Sequence, residues 1–486
     1  MTLDANRALA AGWEAGLPAE TTTVADDVAA ATPRSRRFVL LDDDPTGTQT
    51  VRDVPVLTAW EDDDIAWALD QDSPGFFILT NTRALQPDAA AARIREIVTA
   101  GLRVAQQRGI RLVFASRGDS TLRGHFPLET DVITDALRDA GRVVDAVVMT
   151  PAYIEAGRVT LDGIHWLRQK DGSLLPAARS EFARDATFGY RSSSLAAWVE
   201  EKSDGRIPAG SVRVISLDEI RGADTSLTGV LQESADGRVV VVDAVADSDQ
   251  RAVAVAALAA EAAGTEIVYR VGPSFARAGL GQDSCAPIPD EKLARIAPHG
   301  SAHGLVAVGS HVPMTTRQLD DLLGAREHAL FELDVERVLS DAGEAYLDDV
   351  AIRAADALRT SLVVVRTSRA LRTGADAAES LAIATKVSAA LVHTVRAIVA
   401  RQRPAFVLAK GGITSSDIAT DALGIRRAFV RGPLLPGIVS LWEAAGPASG
   451  LAYIVFAGNV GSDTGLTDVV ERLEPAPGGA GLTKEG

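Results

Sequence analysis

Ala405-Phe406-Val407-Leu408-Ala409-Lys410-Gly411-Gly412-Ile413-Thr414-Ser415-Ser416-Asp417 is the stretch from which the fold can be read outward. Residues 405–409 are apolar and as long as a buried strand. Lys410-Gly411-Gly412 stops the run. Thr414, Ser415 and Ser416 then offer N-cap hydroxyls, and Thr414 to Asp417 has capping-box spacing, so a helix is expected over 418–423. A strand, a Gly-Gly turn and a helix N-terminus gather free backbone N–H groups and a positive dipole end at one point. Two glycines let a phosphate approach the backbone closely, and Lys410 adds a point charge. The same residues also make an ordinary strand-to-helix turn, and the stretch alone leaves both readings open.

The alternation continues on both sides. Strands are expected at 38–41, 76–80, 112–115, 143–149, 212–217, 239–243 and 267–271, with helices such as 88–108 and 248–263 between them. The rhythm breaks over 272–304, which holds Gly279, Gly281, Pro287, Pro289, Pro298 and Gly300. It resumes with strands at 305–308, 362–366, 406–409, 428–431 and 453–457 and a long helix at 377–401. This is the pattern of two three-layer α/β domains with mainly parallel sheets. The expected division is a lead-in at 1–35, one domain at 36–275, a linker at 276–303, a second domain at 304–475 and a disordered tail at 476–486.

Composition narrows the class. The chain has 486 residues, 47% hydrophobic and 23% charged, which is globular and too long for one core. A net charge of −16 argues against a nucleic-acid partner. Cys285 is the only cysteine, so no internal disulfide or cysteine metal cluster is available. No apolar run is read as spanning length, 252–264 being the richest, and the start lacks the blocks of a signal peptide. The expected location is the cytoplasm, without a membrane partner.

Three polar constellations follow strands of the first half, where open α/β sheets bind ligands. The first is Asp42-Asp43-Asp44-Pro45-Thr46-Gly47-Thr48. Adjacent carboxylates repel and need a cation, a hydroxyl or solvent, so a solvated acidic turn is one reading. Asp42-x-Asp44-x-Thr46 also matches the first motif of haloacid-dehalogenase-type phosphohydrolases. That class needs a later Lys and a paired-acid motif after a strand. Of the six lysines, 170 and 202 follow no strand, and Asp320-Asp321 lies in a helical pattern. The second constellation is Ser116-Arg117-Gly118-Asp119-Ser120-Thr121-Leu122-Arg123-Gly124-His125, with two guanidinium groups suited to gripping a carboxylate and hydroxyls suited to a polyol. The third runs from Thr150 through Arg158, another candidate anion anchor, to His165, which reads as a packed histidine between Ile164 and Trp166. In the second half, the strand at 305–308 runs into Gly309-Ser310, and that at 453–457 into Gly458-Asn459-Val460-Gly461. Three small-residue loops in one domain suggest a nucleotide cradle, although no Walker A or GxGxxG pattern is present.

Taken together these segments resemble the four-carbon acid sugar kinase family. The matching pieces are Asp43 to Gly47, Asp119 to Gly124, Pro151-Ala152 with Gly157 to Thr160 and Gly163, Arg270 with Ser274-Phe275, Gly309-Ser310, Gly411 to Thr414, and Gly458 to Gly461, in family order. The chain departs from the pattern at Arg117-Gly118, where many members have Lys two residues before the Asp, and at Ile154 and Ile413. The resemblance implies an N-terminal acid-sugar domain, a C-terminal ATP domain and an active-site cleft between them. It also implies ATP-dependent phosphorylation of a terminal hydroxyl on an acid such as threonate, erythronate or 3-oxo-tetronate. On that reading Asp44, with Asp43 second, is the base. Arg117, Asp119, Ser120, Arg123 and Arg158 hold the sugar acid. Ser310, Lys410, Gly411, Gly412, Ile413, Thr414, Gly458, Asn459 and Gly461 hold ATP, with Mg²⁺ on its phosphates and metal ligands unassigned. The expected partners are the sugar acid and ATP, and a homo-oligomer is compatible with the sequence. A non-catalytic sugar-acid-binding regulator would have no use for three glycine loops in the second half.

Overall fold

The computed structural model describes residues 3–222, 225–297, 303–368, 372, 377–436 and 438–474. The chain divides into two units. Unit 1 comprises Met1–Thr50 and Val54–Ser284, and unit 2 comprises Val51–Asp53 and Cys285–Gly486.

Unit 1 contributes β1 (Arg36–Asp42), β2 (Val54–Leu57), β3 (Gly75–Leu79), β4 (Arg111–Arg117), β5 (Ala146–Thr150), β6 (Arg158–Leu161), β7 (Ile164–Arg168), β8 (Leu174–Pro176), β9 (Arg213–Ile215), β10 (Arg238–Val242) and β11 (Ile267–Val271). Eight of them form a parallel sheet in the order β2-β3-β1-β4-β11-β5-β10-β9. Their side chains are buried nearly without alternation, as expected of strands covered on both faces. The helices Pro87–Gln107 and Leu128–Asp139 cover one face, setting Ile94, Ile97, Val98 and Ile133 against Val39, Leu41, Ile78 and Phe114. β6, β7 and β8 form a small antiparallel sheet that the strand-helix pattern did not disclose.

Unit 2 contributes β12 (Leu305–Val308), β13 (His328–Leu333), β14 (Leu362–Thr367), β15 (Phe406–Lys410), β16 (Arg427–Leu435), β17 (Ile438–Ala445) and β18 (Ala452–Phe456). The order is β13-β14-β12-β15-β18-β17-β16; the first five are parallel, and β17 runs antiparallel to both neighbours. Val306, Val308, Leu408, Ile454 and Phe456 pack against Leu319, Leu322, Leu466 and Val469 of the helices Pro313–Ala325 and Gly465–Leu473.

Three expectations change. The helix after β15 starts at Gly412, not 418, so Thr414, Ser415 and Ser416 lie inside it and do not cap it. The cap position is Gly411, and 418–422 continues as a π-helical turn. Helices occupy Pro273–Gly279 and Asp290–Ile296 within the break in rhythm; 298–302 and the tail 476–486 lie outside the described residues. One helical window, Ala382–Arg401, is long and apolar enough to cross a membrane, against the reading that no run reaches that length. Lys386, His393 and Arg396 interrupt the apolar run in the sequence and hid it. In unit 2 its Leu391, Val395 and Ile398 are buried, and His393 Nε2 is 3.1 Å from Asp348 Oδ1.

Candidate functional site

Parallel strands end together, and the register of unit 1 sets its polar residues side by side. Asp42 pairs with Leu79 on one side and Arg117 on the other, and Ser116 pairs with Arg270. The loops after β1, β3, β4 and β5 therefore converge at one edge of the sheet.

The acidic triplet is resolved by two arginines. Arg117 Nε donates to Asp42 Oδ1 at 2.9 Å, and its Nη2 donates to the same oxygen. Asp42 is 1% exposed, and a Cβ on Gly47 would lie 2.1 Å from its Oδ2 and 1.6 Å from Arg117 Nη2. Burial pushes the Asp42 carboxyl up to about 7, with Arg117 opposing the rise. A carboxylate roofed this way is not placed to attack a phosphate ester, which removes the geometry of the phosphohydrolase reading. Arg83 clamps Asp43 through Nε (3.0 Å) and Nη2 (2.5 Å) and reaches Asp44 Oδ2 through Nη1 at 3.2 Å. Asp44 Oδ1 accepts from the Thr46 N–H at 2.9 Å and hydroxyl at 2.5 Å. Burial would raise the Asp44 carboxyl, but Arg83 and the Thr46 hydrogen bonds outweigh it and hold the group below the usual range. Asp44 keeps 24% of its side chain exposed, against 1% for each of the other two.

The second loop folds on itself. Asp119 Oδ2 accepts from the Thr121 hydroxyl and from Arg123 Nε at 2.6 Å, and Arg123 Nη1 lies 3.6 Å from Asp185 Oδ2. Burial opposes ionisation of Asp119, yet Arg83 and Arg123 keep its carboxyl well below the carboxylate range. Ser120 is buried, and its carbonyl accepts from His165 Nε2 at 2.8 Å. His165 itself is fully buried, and burial lowers its imidazole to about 4, in keeping with a packing role. Arg158 stands 5.8 Å from both the Tyr153 and Phe182 rings. Its Nε is buried without a hydrogen-bond partner, and burial lowers its affinity for a proton. The structure thus joins Asp43, Asp44, Asp119, Ser120, Arg123 and Arg158 in one cluster, while Arg117 is spent beneath it on Asp42.

Sequence reading missed Arg83, which holds Asp43 and Asp44. Its signal was position: it lies just past β3, one more strand end of the kind that binds ligands in open α/β sheets. It also drew no chemistry from Arg270, which is 4% exposed and donates from Nη2 to Arg123 O at 3.2 Å.

In unit 2, β12, β15 and β18 are adjacent, with Val308 opposite Lys410 and Lys410 opposite Phe456. The three loops that follow them are therefore neighbours. A Cβ on Gly309 would sit 2.3 Å from Thr414 Oγ1, and one on Gly458 would sit 2.7 Å from Ser310 Oγ. Gly411 has φ +127°, and a Cβ there would lie 3.0 Å from Thr414 Oγ1 and 3.1 Å from Ser310 Cβ. Thr315 Oγ1 ties two loops by donating to Gly458 O at 2.9 Å and Ser310 Oγ at 3.1 Å. Gln318 Nε2 holds the Gly461 turn through Val460 O and Ser462 O at 3.0 and 2.6 Å. Glycine-built loops with the hydroxyls of Ser310 and Thr414 packed among them, beside a helix N-terminus, offer N–H and O–H donors to a phosphate chain. Lys410 spends its ammonium on the backbone at the root of the third loop. It is fully buried, with Nζ 2.6 Å from Ala457 O and 3.7 Å from the centroid of Phe456, and burial brings its ammonium down to about 7. Gly412 opens the helix, Asn459 is exposed, and Ile413 is 68% exposed. Ile413 stands at the rim of a cavity of about 760 Å³, walled also by Ala389, Val392 and Asp417. Among the described residues no group of three His, Cys, Asp or Glu side chains is placed to hold a metal ion.

Residues 38–279 match the sugar-binding N-terminal domain and 305–466 the nucleotide-binding C-terminal domain. The chain is 26% identical over 406 residues to the D-threonate kinase of Salmonella typhimurium, covering 82% of this chain and 88% of that one. It is 29% identical over 174 residues to the D-erythronate kinase of Heliobacterium modesticaldum, 35% of each. A Haemophilus influenzae structure superposes with a TM-score of 0.59 at 17% identity, covering 89% of this chain and 98% of its own. A Salmonella typhimurium structure gives 0.64 at 19%, covering 90% and 98%; at such identities both speak for the fold alone. With both domain models matched in order across the two units, the chain belongs to the four-carbon acid sugar kinase family.

Proposed function

We propose that the chain is an ATP-dependent kinase that phosphorylates a terminal hydroxyl of a four-carbon sugar acid such as threonate, erythronate or 3-oxo-tetronate. The observation that carries this reading is one chain bearing both a hydroxyl-rich arginine cluster on unit 1 and three adjoining glycine-built loops with the Ser310 and Thr414 hydroxyls on unit 2. The names of the threonate and erythronate kinases it resembles support the substrate class.

Arg123, Asp119 and Ser120, with Arg158, hold the sugar acid. Asp44 faces the attacking hydroxyl. Its low proton affinity keeps it ionised at neutral pH, so it orients the O–H and accepts the proton late, which suits a loose phosphoryl-transfer transition state. Asp43 keeps Arg83 in place for Asp44. Ser310, Gly411, Gly412, Thr414, Gly458, Asn459 and Gly461 form the phosphate cradle, and Ile413 edges the adjoining cavity. Lys410 supports the cradle from below. Mg²⁺ would supply charge neutralisation for the phosphates when bound; Asp43 and Asp44 are engaged by Arg83. The partners are the sugar acid and ATP, without nucleic acid or membrane, in the cytoplasm.

The test is ADP release from ATP against a panel of four- and five-carbon acids. ADP formation that depends on a four-carbon acid supports the reading. Phosphate released from an ester without ATP, and lost in Asp42→Asn, would replace it with a phosphohydrolase.

A further inference from the structure

In the cluster of unit 1 every carboxylate near the arginines is taken. Asp42 is held by Arg117, Asp43 and Asp44 by Arg83, and Asp119 and Asp185 by Arg123. Arg158 and Arg270 are left over: among the described residues neither forms an ion pair. A guanidinium removed from water without a counter-charge is costly, and it persists where an anion is to arrive. Their surroundings differ. Arg158 stacks beside Phe182, which Arg123 also covers at 5.2 Å. Arg270 fills the space over Gly118, where a Cβ would fall 1.2 Å from its Nη1. It also borders Gly124, where a Cβ would lie 3.3 Å from Arg270 Nη2 and 3.0 Å from Asp43 Oδ2. Arg270 is therefore on the side of the acidic triplet, and Arg158 is on the aromatic side.

We propose that unit 1 takes its substrate at two anionic points, the carboxylate of the sugar acid on Arg158 and the phosphoryl group on Arg270. This rests on the kinase reading above and adds the direction in which the substrate lies. The terminal hydroxyl then points to Asp44. Its oxygen forms the new bond to the γ-phosphorus, and its proton passes to Asp44. The bond from that phosphorus to the bridging oxygen breaks, leaving the electron pair on ADP. Arg270 offsets the charge that accompanies the phosphoryl group and holds the ester that results.

Calorimetric titration of the full chain without nucleotide separates the two points. The probes are D-threonate, threitol (the same carbons without a carboxylate) and D-threonate 4-phosphate. The wild type binds the ester more tightly than the acid, and the acid more tightly than threitol. Loss of a charge-assisted contact is worth about ten- to a hundred-fold. Arg158→Met should erase the acid-over-threitol ratio and keep the ester-over-acid ratio, and Arg270→Met should do the reverse. Each ratio is taken within one variant, so a reduced folded fraction cancels. If Arg270→Met does not fold, Arg270→Lys, which keeps charge and loses the fork, should lower the ester-over-acid ratio several-fold. Both variants lowering both ratios alike, or the opposite assignment, overturns the proposal while the sugar-acid reading stands. A wild type that binds neither D-threonate nor D-erythronate removes that reading, and the proposal with it.

Discussion

Asp44 presents the one carboxylate of its triplet with an exposed face, and the chemistry assigned to it is narrow. Asp44→Asn keeps the size and the Thr46 hydrogen bonds but cannot take a proton. General-base work is worth about 10²–10⁴ in rate, so kcat should fall within that range, toward its lower end, with both KM values within several-fold. Steady-state ADP release measures this, and near-normal turnover would move the base to Asp43. Arg123→Ala should raise the KM for the sugar acid by about ten- to a hundred-fold and leave that for ATP unchanged. Lys410 gives a pH prediction. Its folded proton affinity is lowered to about 7 by burial, against an ordinary value of 10.5. Between those values the unfolded chain binds more protons than the folded one, so this group makes stability rise with pH from about 7 to 10.5. The wild type should gain on Lys410→Met across that window in urea midpoint, and parallel curves would contradict the assignment. The residues legible in the sequence were those strung along one loop, Asp43 and Asp44 or Asp119 to Arg123. Arg83 and Arg270 act on loops that pairing brings from other strands, and a single arginine after a strand carries no mark of its partner.

The strands at the heart of both sheets were readable because parallel strands buried on two faces are continuous apolar runs. β2, β6, β7, β8, β13 and the antiparallel β17 were not: they are short, half-exposed or broken by a residue such as Pro55, His165, Arg168, Glu332 or Glu443. The helix start after β15 was misplaced because hydroxyls were read as caps. Ser415 Oγ instead donates backward to Ala409 O (2.9 Å) and Gly411 O (2.7 Å), and Gly411 makes the turn with a positive φ. Gly411→Ala should therefore strain the loop by about 1–3 kcal/mol. If that strain falls on the bound geometry, the KM for ATP rises by about five- to a hundred-fold with the sugar-acid KM unchanged. A change in the sugar-acid KM alone would separate this loop from the nucleotide. In the core of the same unit, Leu408→Ala should cost about 2–5 kcal/mol, read by denaturant unfolding, since Leu408 is fully buried among Val306, Ile454 and Phe456.

At the scale of the whole chain, each unit presents the carboxyl ends of parallel strands, and each set of ends has its own chemistry: arginines and hydroxyls on unit 1, glycine-built loops on unit 2. The central claim is that the sugar acid belongs to the first and the nucleotide to the second. Hydrogen exchange on the full chain tests both halves at once, with D-threonate or D-erythronate and with a non-hydrolysable ATP analogue plus Mg²⁺. The nucleotide should slow exchange at 309–312, 411–415 and 458–462, and the acid should slow it at 43–48 and 118–124. Nucleotide protection confined to the loops of unit 1 would contradict the account.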